Sequence, residues 1–266
     1  MQWWCFSQST AWSWAWQAYP GVWLFVAAMA AGYARWSGIP LRDRRARCFY
    51  AGVLLLWAAF DWPLGPLGAS YLASAHMAQF LLVGLIAPAL LLLGLPARFF
   101  DRIGERPRAL AFLSDLTHPL AAFMIYNVMM TVTHWPGVVD TLMATQPGMF
   151  ALDMAWLLAG LVFWWPVLCP VPDRSGFHPL AKVAYLGING ILIRPPFAMM
   201  VFSEFPIYAT YELAPPIPGT TALGDQQMAG AVMKVGQGWI MGIALGIIFY
   251  RWWLETRHAR KVRTTA

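Results

Sequence analysis

The sequence predicts an all-α, polytopic membrane protein with seven transmembrane helices, the N-terminus outside (periplasmic) and the C-terminus cytoplasmic. Three observations carry this. Of 266 residues, 59% are hydrophobic and only 11% charged, too little charge to cover a water-exposed surface. The apolar runs lack the two-residue alternation of a membrane barrel, so helices are expected. Lys and Arg gather in alternate connecting segments, as the positive-inside rule requires.

The elements follow in order along a single membrane domain, residues 1–266. Residues 1–18 form a Trp-rich outer segment that opens MQWWCFSQST. It has no basic n-region and is not a signal peptide; its rings read as an interfacial belt or an amphipathic lead-in. The spans cover Tyr19–Trp36, Cys48–Phe60, Tyr71–Leu95, Pro119–His134, Phe150–Leu168, Leu180–Phe202 and Gln226–Trp253. The second and fourth are short for a bilayer core of about 30 Å and borrow flanking residues such as Asp61 and Thr117. Arg35, Arg42, Arg44, Arg45 and Arg47 follow the first span; Arg98, Arg102, Arg106 and Arg108 follow the third; Arg174 and Lys182 follow the fifth. A basic cytoplasmic tail, residues 254–266, closes the chain. The segments Met1–Gln17, Asp61–Ser70, Trp135–Met149 and Ser203–Asp225 contain no Lys or Arg. The last of these, the Pro-rich outer loop 203–225, is expected to be a structured lid. The net charge of +6 is therefore topological, and no basic soluble face for nucleic acid exists. The tail can touch anionic lipid. Cys5, Cys48 and Cys169 are scattered and form no CxxC, so neither a disulfide framework nor a thiol copper shuttle is indicated.

Polar groups inside apolar runs are costly and need a partner or a task. His76 opens the third span, with Gln79 a turn deeper on the same helical face and Met77 beside them. His134 ends the fourth span, and Asp153 and Met154 lie in the first turns of the fifth. Four helix ends thus bring His, Met and Asp to one membrane face, with Asp61 and Asp140 flanking it. Imidazole and thioether suit copper, with thioether favouring Cu(I); His76 and His134 with Met77, Met130 or Met154 are candidate ligands, and Asp153 a candidate acid. Equally, methionines at these positions fill gaps in the packing. Arg194 and Lys234 lie mid-depth in the sixth and seventh spans. Glu204, Asp225 and Asp153, a bound anion, or backbone carbonyls are their candidate partners. Pro88 and Pro195–Pro196 are expected to bend their helices. Gly238, Gly242 and Gly246 make a smooth stripe for close helix contact, within the chain or against a partner.

Several strings together resemble one family. They are SAHMAQFLLVGLIAPALLLLGLP (Ser74–Pro96), HPL (His118–Leu120), YNVMMTVTHWP (Tyr126–Pro136), LAGLVFWWPVL (Leu158–Leu168) and LGDQQMAGAVM (Leu223–Met233). Their order resembles the CtaG family, associated with caa3-type cytochrome c oxidase, over about Pro63 to Trp253. His76, Gln79, His134, Asp225, Gln226 and Gln227 match its pattern. The chain resembles a divergent member that lacks several of the family's histidines. Phe80 stands where a second imidazole is expected, and Phe150 and Met154 stand where the family has histidines around the acid at Asp153. The resemblance implies a membrane assembly factor for a haem–copper oxidase in the bacterial inner membrane. It would hold or relay Cu(I) at the periplasmic side, with oxidase subunits as partners. The alternative is a non-metal structural subunit of a respiratory or photosynthetic complex. No nucleophile triad, phosphate loop or cofactor fingerprint is present, and no enzyme activity is expected.

Overall fold

The computed structural model describes residues 2–168, 177–192 and 195–265, with 258–265 described by backbone alone. Among the described residues all regular structure is helical. Helix α1 (Pro20–Ser37) leads to α2 (Arg44–Phe60) and the short α3 (Leu64–Ser70). The central helix is α4 (Ala73–Leu81), a π-helical turn at Leu82–Ile86, and α5 (Ala87–Leu93). Two short helices, α6 (Ala97–Gly104) and α7 (Pro107–Leu116), precede α8 (Pro119–Thr133) and α9 (Pro136–Met143). Next come α10 (Gln146–Leu168), α11 (Pro179–Ile191), α12 (Pro195–Phe202), α13 (Ala209–Glu212) and α14 (Ala222–Thr265). Proline opens several of these helices, where its missing N–H has no helical partner to lose.

Four helical units are long and apolar enough to cross a membrane: Ala73–Leu93, Gln146–Leu168, Pro179–Phe202 and Ala222–Arg257. Two bent pairs bring the number to as many as six: α2 with α3, bent by 48°, and α7 with α8, bent by 61°. The expected second and fourth spans are these pairs, which bend beside Asp61 and Thr117. The expected first span forms α1, whose 18 residues end in Tyr33, Arg35 and Trp36 and are less apolar. Helix α14 has 44 residues, about 66 Å at 1.5 Å per residue. The basic tail is its continuation.

Two prolines shape the bundle as their chemistry demands. Pro88 has no N–H for the Gly84 carbonyl, and the π turn lies directly before it. That carbonyl presses on Gly160 of α10, where a β-carbon would collide with it and meet Pro88 Cγ at 2.7 Å. In the same way, Pro195 and Pro196 remove the donors that the Ile191 and Leu192 carbonyls would need, and α11 ends there.

The segments without Lys or Arg collect at one end of the bundle and pack into a cap. Ser7 N donates to Met143 O, Gln8 N to Ser70 Oγ, and Tyr71 OH to Thr10 O. The Trp3 and Trp4 amides share Gln146 Oε1. Trp14 and Trp16 are exposed, as an interfacial belt requires, but Trp4 is buried in the core. Cys5 is also buried and donates to Phe60 O, which keeps this thiol off the surface; burial pushes it well above its usual range. At the opposite, arginine-rich end, Arg102 lies over the Trp36 ring at 5.8 Å.

Candidate functional site

The central helix delivers His76 to the cap. Its start is held from another helix: Asp225, in the first turn of α14, accepts from Ala73 N (2.6 Å), Ser74 N and Ser74 Oγ. A carboxylate at these otherwise orphaned amides is an N-cap supplied in trans. One turn on, His76 and Gln79 are both buried. Gly68 of α3 lies against them, where a β-carbon would sit 2.9 Å from Gln79 Oε1 and 3.0 Å from His76 Cα.

A chain of polar groups runs behind His76. Trp4 Nε1 donates to Asp153 Oδ2 at 2.8 Å. Asp153 Oδ1 accepts from Gln79 Nε2 at 3.4 Å, and Gln79 Oε1 meets His76 Nδ1 at 3.4 Å. The amide thus turns its NH₂ to Asp153 and its oxygen to His76. Nδ1 of His76 then carries the proton, and Nε2 holds the lone pair. His76 Nε2 is buried without a hydrogen-bond partner.

His134 reaches the same place from the end of α8. Its Nδ1 lies 2.8 Å from Met130 O; because a carbonyl only accepts, this ring too carries its proton on Nδ1. Both imidazoles pack on Trp156 of α10, at centroid distances of 4.8 Å for His76 and 5.5 Å for His134. Trp156 is fixed by Nε1–H to Thr133 Oγ1 (3.0 Å). Phe80 stands edge-on to His134 at 5.1 Å and to Trp156 at 5.3 Å. The position where the resemblance expects a further imidazole therefore faces His134 directly.

The loop 203–225 covers this box. Tyr208 OH donates to His134 O (2.8 Å) and Tyr211 OH to Gly68 O (2.7 Å). Asp140 of α9 accepts from the Ala209 and Thr210 amides at the start of α13. Gln226 Oε1 accepts from Ile207 N, while its amide reaches Met200 O and Phe205 O. Burial pushes the Tyr208 and Tyr211 phenols well above their usual range, so both remain donors.

The other expected residues are distributed differently. Met77 is buried beside His76. Met154 follows Asp153 by one residue and so turns to another face; it lines an apolar groove with Met129, Ala155 and Leu158, away from the face that carries Trp156. Lys234 Nζ donates to the carbonyls of Gly190 (2.9 Å), Ile191 (3.1 Å) and Leu192 (3.2 Å). These include the two acceptors that the Pro195–Pro196 pair strips of donors. Arg194 lies outside the described residues. A β-carbon added at Gly238, Gly242 or Gly246 would meet no other part of the protein within 4 Å, and all three are exposed, so the stripe faces away from the bundle. Sequence reasoning did not single out Trp4, Trp156, Tyr208, Tyr211 or Gly68. Only Trp156 had a local signal, lying three residues from Asp153 on its helical face.

Among the described residues, no three His, Cys, Asp or Glu side chains cluster as a metal site would. The box offers two imidazoles, an acid one amide removed, and aromatic walls. The family of cytochrome c oxidase caa3 assembly factors matches residues 12–255. The chain belongs to this family. Residues 2–11, with Trp4, precede the matched span of the caa3 assembly factor family. Two mycobacterial relatives are each 25% identical to it over 237 residues, covering 77% of this chain. They are the uncharacterized proteins Mb0105 of Mycobacterium bovis and MT0111 of Mycobacterium tuberculosis. The match takes up 34% of their length, so the chain spans about a third of these relatives. No solved structure matches.

Proposed function

We propose that this chain assists assembly of a haem–copper cytochrome c oxidase by holding Cu(I) between His76 and His134. The cap would be on the periplasmic side of the bacterial inner membrane, α1 would complete seven crossings, and the N-terminus would lie outside. Family membership supports the assembly role, and the Lys- and Arg-free composition of the cap supports the orientation. The observation that carries the copper reading is the pair of buried imidazoles packed on Trp156. One of them, His76, has an unpartnered Nε2 and is backed through Gln79 by a carboxylate, the usual support of a ligating histidine.

The donor set limits which ion fits. A closed tetrahedral zinc site takes four ligands, and a catalytic one three with an open position. Two neutral imidazoles suit Cu(I), for which aromatic walls exclude water and oxidant. When bound, copper would be cargo for the oxidase. The chain's residues then have three tasks. Gln79 and the Met130 carbonyl hold the two Nδ1 protons. Trp156 and Phe80 fix the ring planes. Tyr208 and Tyr211 close the site.

The reading is tested in membranes of a strain lacking this chain. Copper content and activity of the caa3-type oxidase should fall, the wild-type gene should restore both, and the His76→Ala gene should not. Full restoration by His76→Ala would reject the copper role. A second reading, a non-metal accessory subunit, is favoured by the outward glycine stripe of α14 and predicts that restoration.

A further inference from the structure

The box around His76 is closed on every side that the cap covers, so a ligand needs a route to it. One cavity in the described part of the cap adjoins its walls. It has a volume of about 170 Å³ and lies between the central helix, the Pro-rich loop and the start of α14. Its lining includes Tyr71, Tyr211, Glu212, Pro215, Thr220 and Asp225, with two carboxylates and no cationic group. It is large enough for several water molecules.

Tyr211 belongs to both spaces. It lines the cavity, and its ring lies 6.3 Å from the His76 imidazole by centroids. His76 itself does not line the cavity. Asp225 is likewise shared, since it lines the cavity and also holds the first amides of α4. His76 Nε2 is fully buried and has no hydrogen-bond partner. The ring is held by a hydrogen bond to Gly68 O and a contact from its hydroxyl to Met143 Sδ at 3.8 Å. Tyr211 sits on α13, a four-residue helix, and the Ala209 and Thr210 amides at its start are held by Asp140. Tyr211 is its one buried side chain; Ala209, Glu212 and the following Leu213 are exposed, and so short and outward-facing an element belongs to the easily opened part of a fold.

We propose that this cavity is the port by which a small cation reaches His76, with Tyr211 as its inner gate. The carboxylates of Glu212 and Asp225 draw a cation in and lower its cost of shedding water, and Tyr211 swings aside to admit it. The assignment of a cation rests on the copper reading above; the route and the gate do not.

The test therefore uses a metal-free probe. Diethyl pyrocarbonate acylates neutral imidazole, and the product is counted residue by residue by mass spectrometry on the purified full chain in detergent. The exposed His118 and His178 serve as internal references. Tyr211→Ala should raise the His76 rate about tenfold or more, the gain that ~1.4 kcal/mol of lost local stability gives, with both references unchanged. Thr220→Trp, which fills the rim and leaves the gate intact, should slow His76 modification below wild type. If Tyr211→Ala leaves the rate at the wild-type value while Trp4→Ala raises it, the route runs under the N-terminal segment and the proposal fails. If none of the three changes moves it, the cavity does not lead to His76 and the proposal fails as well. Faster Cu(I) uptake by Tyr211→Ala would extend the route to copper; no uptake by any form would reject the copper reading and leave the port standing.

Discussion

Replacing Trp4 with phenylalanine removes a single N–H from the heart of the cap. Trp4 is 1% exposed, and its Nε1 donates to Asp153 Oδ2 at 2.8 Å. A hydrogen bond to a charged or buried carboxylate contributes about 1.5–3 kcal/mol, and an acceptor left buried without a donor costs a similar amount. The aromatic packing on Phe60 (5.1 Å) and Phe150 (5.0 Å) is largely retained by the smaller ring, whose missing volume adds about 1 kcal/mol. Trp4→Phe should therefore cost about 3 kcal/mol, and Trp4→Ala about 5 kcal/mol once the full cavity term is added. The assay is an unfolding titration in mixed micelles, run on Trp4→Phe, Asp153→Asn and the double variant. Groups joined in one hydrogen-bond network show coupling of about 0.5–3 kcal/mol, whereas independent sites add to within about 0.5 kcal/mol. Simple additivity would refute the link between the N-terminal segment and the acid behind His76.

Three further outcomes follow from the geometry. Phe80→His places a third imidazole facing His134, and the Cu(I) dissociation constant should fall by at least about tenfold, or ~1.4 kcal/mol; competition with a Cu(I) chelator measures it, and unchanged affinity would mean that Phe80 does not face the ligand. Lys234→Met leaves the Ile191 and Leu192 carbonyls without their ammonium donor, and should destabilise the fold by about 1–3 kcal/mol in the same titration, with Lys234→Arg recovering part of it. In a Cys48→Ser, Cys169→Ser background, Cys5 should resist maleimide until the protein is unfolded, because burial and its raised thiol pKa both withhold the thiolate; prompt labelling of the folded protein would contradict the buried N-terminal segment.

The bundle was legible because its signals are local. Apolar runs, helix-opening prolines and the segregation of Arg and Lys lie along the chain, and the helices appear where they point. His76 with Gln79 was legible as a spacing of three residues. Lys234 was less so. Backbone carbonyls stood beside acids among its candidate partners, and Pro195–Pro196 strip two carbonyls of their donors, but that Lys234 is the group that reaches them shows only in the fold. The cap was hidden because its bonds are distant in sequence. Trp4 and Asp153 are 149 residues apart, and among so many tryptophans nothing marks one as a donor to a buried acid. Asp225 matched the family pattern, yet its task of capping α4 from another helix shows only in three dimensions. Met154 shows the limit of counting ligand types at a helix end: a step of one residue turns a side chain by about 100°, and that step takes it from the box to the groove.

The central claim is that His76 and His134 together hold one Cu(I), and the most direct measurement is copper stoichiometry with X-ray absorption on the purified chain loaded with Cu(I). One Cu(I) per chain with nitrogen neighbours only is expected, lost in His76→Ala and in His134→Ala while both variants remain folded. Unchanged copper content in the double variant, or sulfur in the wild-type coordination shell, would contradict it.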